Sequence, residues 1–137
     1  MTPLSPEEER KLLEAATLVR GHASAPYSRF QVGAALLAED GTVYTGCNVE
    51  SATYGLTCCA ERTAVFKAVS EGAPRAFRAV AVVTGADEPT PPCGACRQVL
   101  WDQCREIDVV MGTTAGAIER TTLSALFPRP FAFGGPE

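Results

Sequence analysis

A chain of 137 residues is the size of one domain, and a single domain over residues 1–137 is expected. Its hydrophobic fraction of 46% is enough for one buried core, yet no run approaches the ~20 apolar residues that a membrane-spanning helix needs. Sixteen acidic against twelve basic side chains, a net charge of -4, weigh against a nucleic-acid partner and suit a small neutral substrate.

The first residues, Met1 to Pro6 and then three glutamates, lack the basic start and apolar stretch of a secretory signal, so the cytoplasm is the expected compartment. Ser5-Pro6-Glu7-Glu8 reads as a capping box that opens a helix. Leu12, Ala15, Ala16 and Val19 then fall on one face at helical spacing, and Gly21 is the stop. Residues 23–30 are expected to form a loop. Gln31 to Ala38 reads as a strand covered on both faces, and Val43 to Cys47 returns beside it after the turn at Glu39-Asp40-Gly41-Thr42.

From about Cys58 to Glu71 the pattern is helical, with Val65, Ala68 and Val69 inward and Gly72 ending it. Phe77 to Val83 is a third strand. After the loop from Gly85 to Pro92, a helix is expected from near Gly94 to about Cys104, and a fourth strand over Ile107 to Met111. A weaker fifth strand, Ala117 to Thr121, and a short helix, Leu123 to Phe127, complete the order. Helices and strands alternating in this way predict a three-layer α/β domain, a sheet with helices against it.

Six cysteines without a secretory signal suggest metal binding before disulfides. Cys59-Ala60-Glu61 and Pro92-Cys93-Gly94-Ala95-Cys96 together supply three thiols and a carboxylate. A catalytic zinc site uses three protein ligands and leaves the fourth position to water, so Cys59, Cys93 and Cys96 are the expected ligands of a single zinc ion per chain. Glu61 is then free to move protons. With Cys59 and Cys93 at helix starts, the positive ends of two helix dipoles face the thiolates and lower their pKa values. Arg62 and Arg97, each next to a motif residue, are expected to donate to the sulfurs and tune the metal. Cys47, Cys58 and Cys104 read as buried free thiols, and His22 as a surface residue.

At these residues a family becomes recognisable. The two motifs together are the zinc-deaminase signature with cysteine in place of histidine. The chain resembles the small homotetrameric cytidine deaminases over nearly its whole length, through Pro26-Tyr27-Ser28, Phe30 to Leu36, Gly46 to Glu50, Thr57 to Gly72 and Pro92 to Leu100. The resemblance implies a mixed five-stranded sheet with helices packed on it, and hydrolysis of cytidine and deoxycytidine to uridine and deoxyuridine with release of ammonia. It implies that Asn48 and Glu50 bind the sugar hydroxyls, that Phe30 packs beside the nucleoside, and that the N–H of Ala60 meets the 2-oxygen of the pyrimidine. It further implies that Phe131 covers the base in a neighbouring subunit's site within a homotetramer. Glu61 is expected to carry protons, first to ring nitrogen 3 and later to the departing amino group. Ser51, where such enzymes usually carry asparagine, and Trp101-Asp102-Gln103-Cys104 depart from the pattern.

Within the same chemistry, another amino-heterocycle such as blasticidin S or a guanine-type base is the alternative substrate. A zinc-stabilised nucleic-acid module conflicts with the acidic balance and lacks a convincing fourth ligand. A thiol redox protein leaves Cys59 and Glu61 without a role, and metal content separates that case.

Overall fold

The computed structural model describes residues 3–133. The first helix, α1 (Pro6–Arg20), begins as expected: the Glu8 N–H donates to Ser5 Oγ at 3.1 Å, and the Ser5 N–H donates to the Glu8 carboxylate at 3.0 Å. The hairpin β1 (Val32–Ala38) and β2 (Val43–Cys47) follows, then α2 (Ala60–Ser70), β3 (Phe77–Thr84), α3 (Gly94–Cys104), β4 (Asp108–Thr113), β5 (Ile118–Thr122) and the short α4 (Leu123–Leu126). A single 3₁₀ turn, Tyr54–Leu56, interrupts the irregular stretch between β2 and α2.

The strands form one mixed sheet in the order β2-β1-β3-β4-β5, with only β3 and β4 parallel. Parallel neighbours need a crossover, and α3 supplies it. Alternation along the central strands divides their side chains between two cores. Ala35, Leu37, Ala79, Ala81 and Val83 pack against Leu12 and Ala16 of α1. Ala34, Leu36, Val80 and Val109 pack on the other face against Ala64, Val65 and Ala68 of α2 and Leu100 of α3. The three layers follow from strands that are apolar on both faces.

Two expectations are adjusted. Ala15 and Val19 lie half-buried at the margin of their helix, and Val69 likewise on α2, so the buried stripes are narrower than the spacing implied. On α1 the vacated inward position goes to Glu9, a buried carboxylate that accepts hydrogen bonds from the Arg120 guanidinium of β5.

Gly46 positions the site. A side chain there would stand 2.4 Å from the Ala64 nitrogen and 2.6 Å from the Ala60 oxygen, so only glycine lets the first turns of α2 lie directly on β2. Among the described residues no helix is long and apolar enough to cross a membrane.

Candidate active site

Cys59 and Cys93 occupy the N-cap positions of α2 and α3, and neither makes a side-chain cap hydrogen bond. The first N–H groups of a helix have no intrahelical partner. Both helix starts therefore keep their positive ends for the sulfurs beside them. Cys96, one turn into α3, is buried and brings a third sulfur to the same point.

The three sulfurs lie within 4.8 Å of one another. Tetrahedral zinc with Zn–S bonds of ~2.3 Å sets its sulfurs ~3.8 Å apart. The Cys59 and Cys93 sulfurs are 3.8 Å apart. Three thiolate donors at this spacing fit zinc. Cys58 is directed elsewhere and accepts from the Thr63 hydroxyl, while Cys47 and Cys104 also stand outside the cluster. Among the described residues no thiol is in a disulfide. Of the three expected to be buried free thiols Cys104 is buried, whereas Cys47 and Cys58 are only half-buried, and His22 is exposed as expected.

The two arginines divide. Arg62 donates to the Cys59 sulfur at 3.2 Å. The hydrogen bond from Cys96, and then that from Arg62, hold the Cys59 thiol down at about 5. The same contact with Cys59, with burial added, keeps the Cys96 thiol protonated far above the usual thiol range. Arg97 does not reach a sulfur, contrary to expectation. It donates to the Pro92 carbonyl at 2.8 Å and the Leu126 carbonyl at 2.7 Å. Its long side chain thus bridges two part-buried carbonyls and ties the C-terminal segment to the turn that carries Cys93.

Glu61 is 5% exposed. Burial pushes its carboxyl up to about 7, and the negative Cys59 sulfur adds to the rise. A carboxyl poised near neutrality gives and takes a proton with similar ease.

A cavity of ≈ 280 Å³ joins Glu61, Cys59 and Cys93 to Phe30, Asn48 and Glu50. That is close to the ~300 Å³ lower end of small-molecule sites. The expected ligand, proton-carrying and substrate-binding residues all line this cavity except Cys96 and Phe131; Arg62 does not line it either, and Cys96 and Arg62 join the site through the sulfur cluster. Phe30 is partly exposed at the rim, and Ala60 is fully buried at the start of α2.

The polar pair is committed to the fold more than the sequence implied. Asn48 accepts from the Val32 N–H at 2.8 Å and donates to the Phe30 carbonyl at 2.8 Å, so it braces the segment that carries Phe30. Its second amide hydrogen and second lone pair are still available to a ligand. Glu50 accepts from the Tyr27 and Ser28 N–H groups and from the Ser28 hydroxyl. The Ser28 hydroxyl, followed by these N–H donors, lowers its pKa and keeps it ionised. Ser28 itself was missed, because a serine in a loop carries no signal of its partner 22 residues away. Ser51 is turned to loop structure: its N–H donates to Thr57 Oγ1, and its hydroxyl accepts from the Thr53 N–H.

Phe131 lies outside its own chain's cavity. Gln98 donates to its carbonyl at 3.0 Å, and 65% of the residue is exposed.

Residues 6–113 match the family model described as the cytidine and deoxycytidylate deaminase zinc-binding region. The cytidine deaminase of Sporosarcina psychrophila is 51% identical over 123 residues, which span 89% of this chain and 90% of that one. That of Halalkalibacterium halodurans is 51% identical over 125 residues, 90% of this chain and 94% of its own. Among solved structures, the cytidine deaminase of Burkholderia pseudomallei superposes with a TM-score of 0.86 at 48% identity, covering 89% of this chain and 98% of that one.

Proposed function

The chain belongs to the cytidine and deoxycytidylate deaminase family, and from that premise we propose that it is a zinc-dependent hydrolase converting cytidine and deoxycytidine to uridine and deoxyuridine with release of ammonia. The observation that carries this reading is the buried Glu61 in one cavity with two of the three metal-spaced thiols.

Cys59, Cys93 and Cys96 would hold the zinc, which when bound supplies a Lewis acid that makes a water in its open position ionise near neutral pH. Glu61 takes a proton from the attacking water and hands one to ring nitrogen 3, which draws electron density from ring carbon 4. After addition at that carbon, Glu61 takes the proton of the new hydroxyl and passes it to the amino group, which leaves as ammonia as the 4-carbonyl forms. The Ala60 N–H, at an uncapped helix start, holds the 2-oxygen and fixes the ring's angle to Glu61. Arg62 keeps Cys59 a thiolate. Phe30 packs on the nucleoside, while Asn48 and Glu50 meet the sugar hydroxyls. The ionised Glu50 at this end disfavours a 5′-phosphate, so a free nucleoside of pyrimidine salvage in the cytoplasm is the substrate.

Ammonia release, or the change in ultraviolet absorbance, on a panel of cytidine, deoxycytidine, cytosine, cytidine monophosphate, blasticidin S and guanine tests the reading. Turnover of the two nucleosides is expected. Cytidine monophosphate turned over as well as cytidine would overturn the free-nucleoside assignment, and turnover confined to blasticidin S would overturn the substrate class.

The site is completed by a neighbour in a homotetramer. Supporting this are the exposed Tyr54, Leu56, Phe66 and Phe131, a number of large apolar side chains that suits contact with further copies. Phe131 of one subunit covers the base bound by the next, adding ~0.5–1.5 kcal/mol of ring contact beyond burial, and closed symmetry lets every subunit lend and receive. Phe131→Ala keeps its own Glu61 and loses the lent ring, whereas Glu61→Ala does the reverse. Co-refolded mixtures of the two should therefore exceed the summed activity of the separate variants. Strict additivity in verified hybrid oligomers would mean that each Phe131 serves its own chain or none.

A further inference from the structure

The cavity wall formed by the end of β3 and the loop before α3 carries a pair of hydroxyls that the proposed reaction does not use. Thr84, the last residue of β3, and Thr90, just before Pro91-Pro92-Cys93, both line the cavity beside Val82. Their oxygens are 3.3 Å apart, and the Ala86 N–H donates to the Thr84 oxygen at 3.3 Å. Among the described residues neither hydroxyl has another partner. Thr84 is 1% exposed, while Thr90 is only half-buried.

Counting hydrogens gives this pair a direction. Two hydroxyls own two hydrogens, and one bond between them uses one. Were Thr90 the donor, the hydrogen left over would sit on Thr84, the more deeply buried of the two at 1% exposure, and a buried unsatisfied donor is costly. With Thr84 donating to Thr90, the spare hydrogen belongs to Thr90 and is offered to the cavity. Thr84 orients it, and the Ala86 N–H in turn orients Thr84.

The placement of the pyrimidine fixes what faces this donor. Ring nitrogen 3 and the 2-oxygen share one edge, and Glu61 and Ala60 hold that edge against α2. Carbons 5 and 6 form the opposite edge, which turns to the wall leading into α3. We infer that Thr90, oriented by Thr84, is a specificity-determining residue for the 5-position of the substrate, where it favours a compact substituent bearing a hydrogen-bond acceptor over an apolar one of equal size. This rests on the proposed base placement.

5-Hydroxymethylcytidine and 5-ethylcytidine are nearly equal in size and differ in one hydroxyl, so the ratio of their kcat/KM values isolates the contact. One net hydrogen bond predicts a ratio of ~10 in the zinc-loaded enzyme. Thr90→Val, which keeps the shape and removes the hydroxyl, should bring the ratio close to one, and Thr90→Ser should restore it. Thr84→Val should lower it as well, because the donor loses its orientation. If the two threonines only staple the loop of residues 85–91, their valine variants would slow both substrates alike and leave the ratio unmoved. That result, or wild-type enzyme that fails to prefer the hydroxymethyl substrate, would overturn the inference while cytidine turnover stands. Loss of binding and turnover for cytidine itself would instead remove the base placement beneath it.

Discussion

Glu61→Gln should retain zinc and nucleoside binding while kcat falls by ~10⁴-fold or more. General acid–base catalysis by one positioned group is typically worth ~10²–10⁴-fold, and here one carboxylate serves in several successive proton transfers. A loss of ~10⁴ corresponds to about 5 kcal/mol of barrier. Glutamine keeps the volume and a hydrogen-bonding end, so the buried pocket that holds Glu61 stays filled. It cannot take up and return a proton. Because the carboxyl is also buried beside the Cys59 thiolate, the neutral amide should leave the fold as stable or slightly more so. Stopped-flow or long-time ammonia release on the metal-replete variant, with a parallel nucleoside-binding measurement, decides the point. Turnover within tenfold of wild type would assign the proton carrier elsewhere.

The second large effect belongs to the cysteines proposed to hold zinc. Cys59→Ser should lose zinc and activity together, whereas Cys58→Ser, one residue away, should keep both. Cys59 contributes a sulfur to the cluster, while the Cys58 sulfur accepts from Thr63 instead. Stability should also drop. A ligand that binds only the folded chain adds ~2.7 kcal/mol when present at 100 times its Kd. For a domain of this size each kcal/mol is worth ~3–5 °C in Tm, so the variant should melt about 10 °C below the zinc-loaded parent. Chelation of the parent should reproduce the shift, and it should leave Cys59→Ser unmoved. Elemental analysis that found zinc in Cys59→Ser and none in Cys58→Ser would reverse the assignment.

The thiols and Glu61 were legible because their information is local. Cys93 and Cys96 are one helical turn apart, Cys59 precedes Glu61 by two, and both motifs sit where a capping position and an apolar stripe mark a helix start. Spacing along a helix fixes which side chains share a face before any tertiary contact is known. The strand and helix order was legible for the same reason, since periodicity reports element type and face.

Long-range partners carry no such mark. Arg97 stands one residue after a metal ligand, yet it is spent on the Leu126 carbonyl, 29 residues on. Glu9 looks like one of three solvated glutamates in the first turn of a helix, and it is buried against Arg120, 111 residues away. Thr84 reads as the polar end of an apolar strand and Thr90 as a loop residue among prolines; only the folded loop sets their hydroxyls together. Residue type and spacing within single elements were enough to read the layers, the grouping of Cys59, Cys93 and Cys96, and the place of Glu61 in the first turn behind Cys59. Only the tertiary structure decided which polar side chains face the cavity and which are consumed in holding it, because a flexible side chain takes whichever unsatisfied group the packed chain brings within reach.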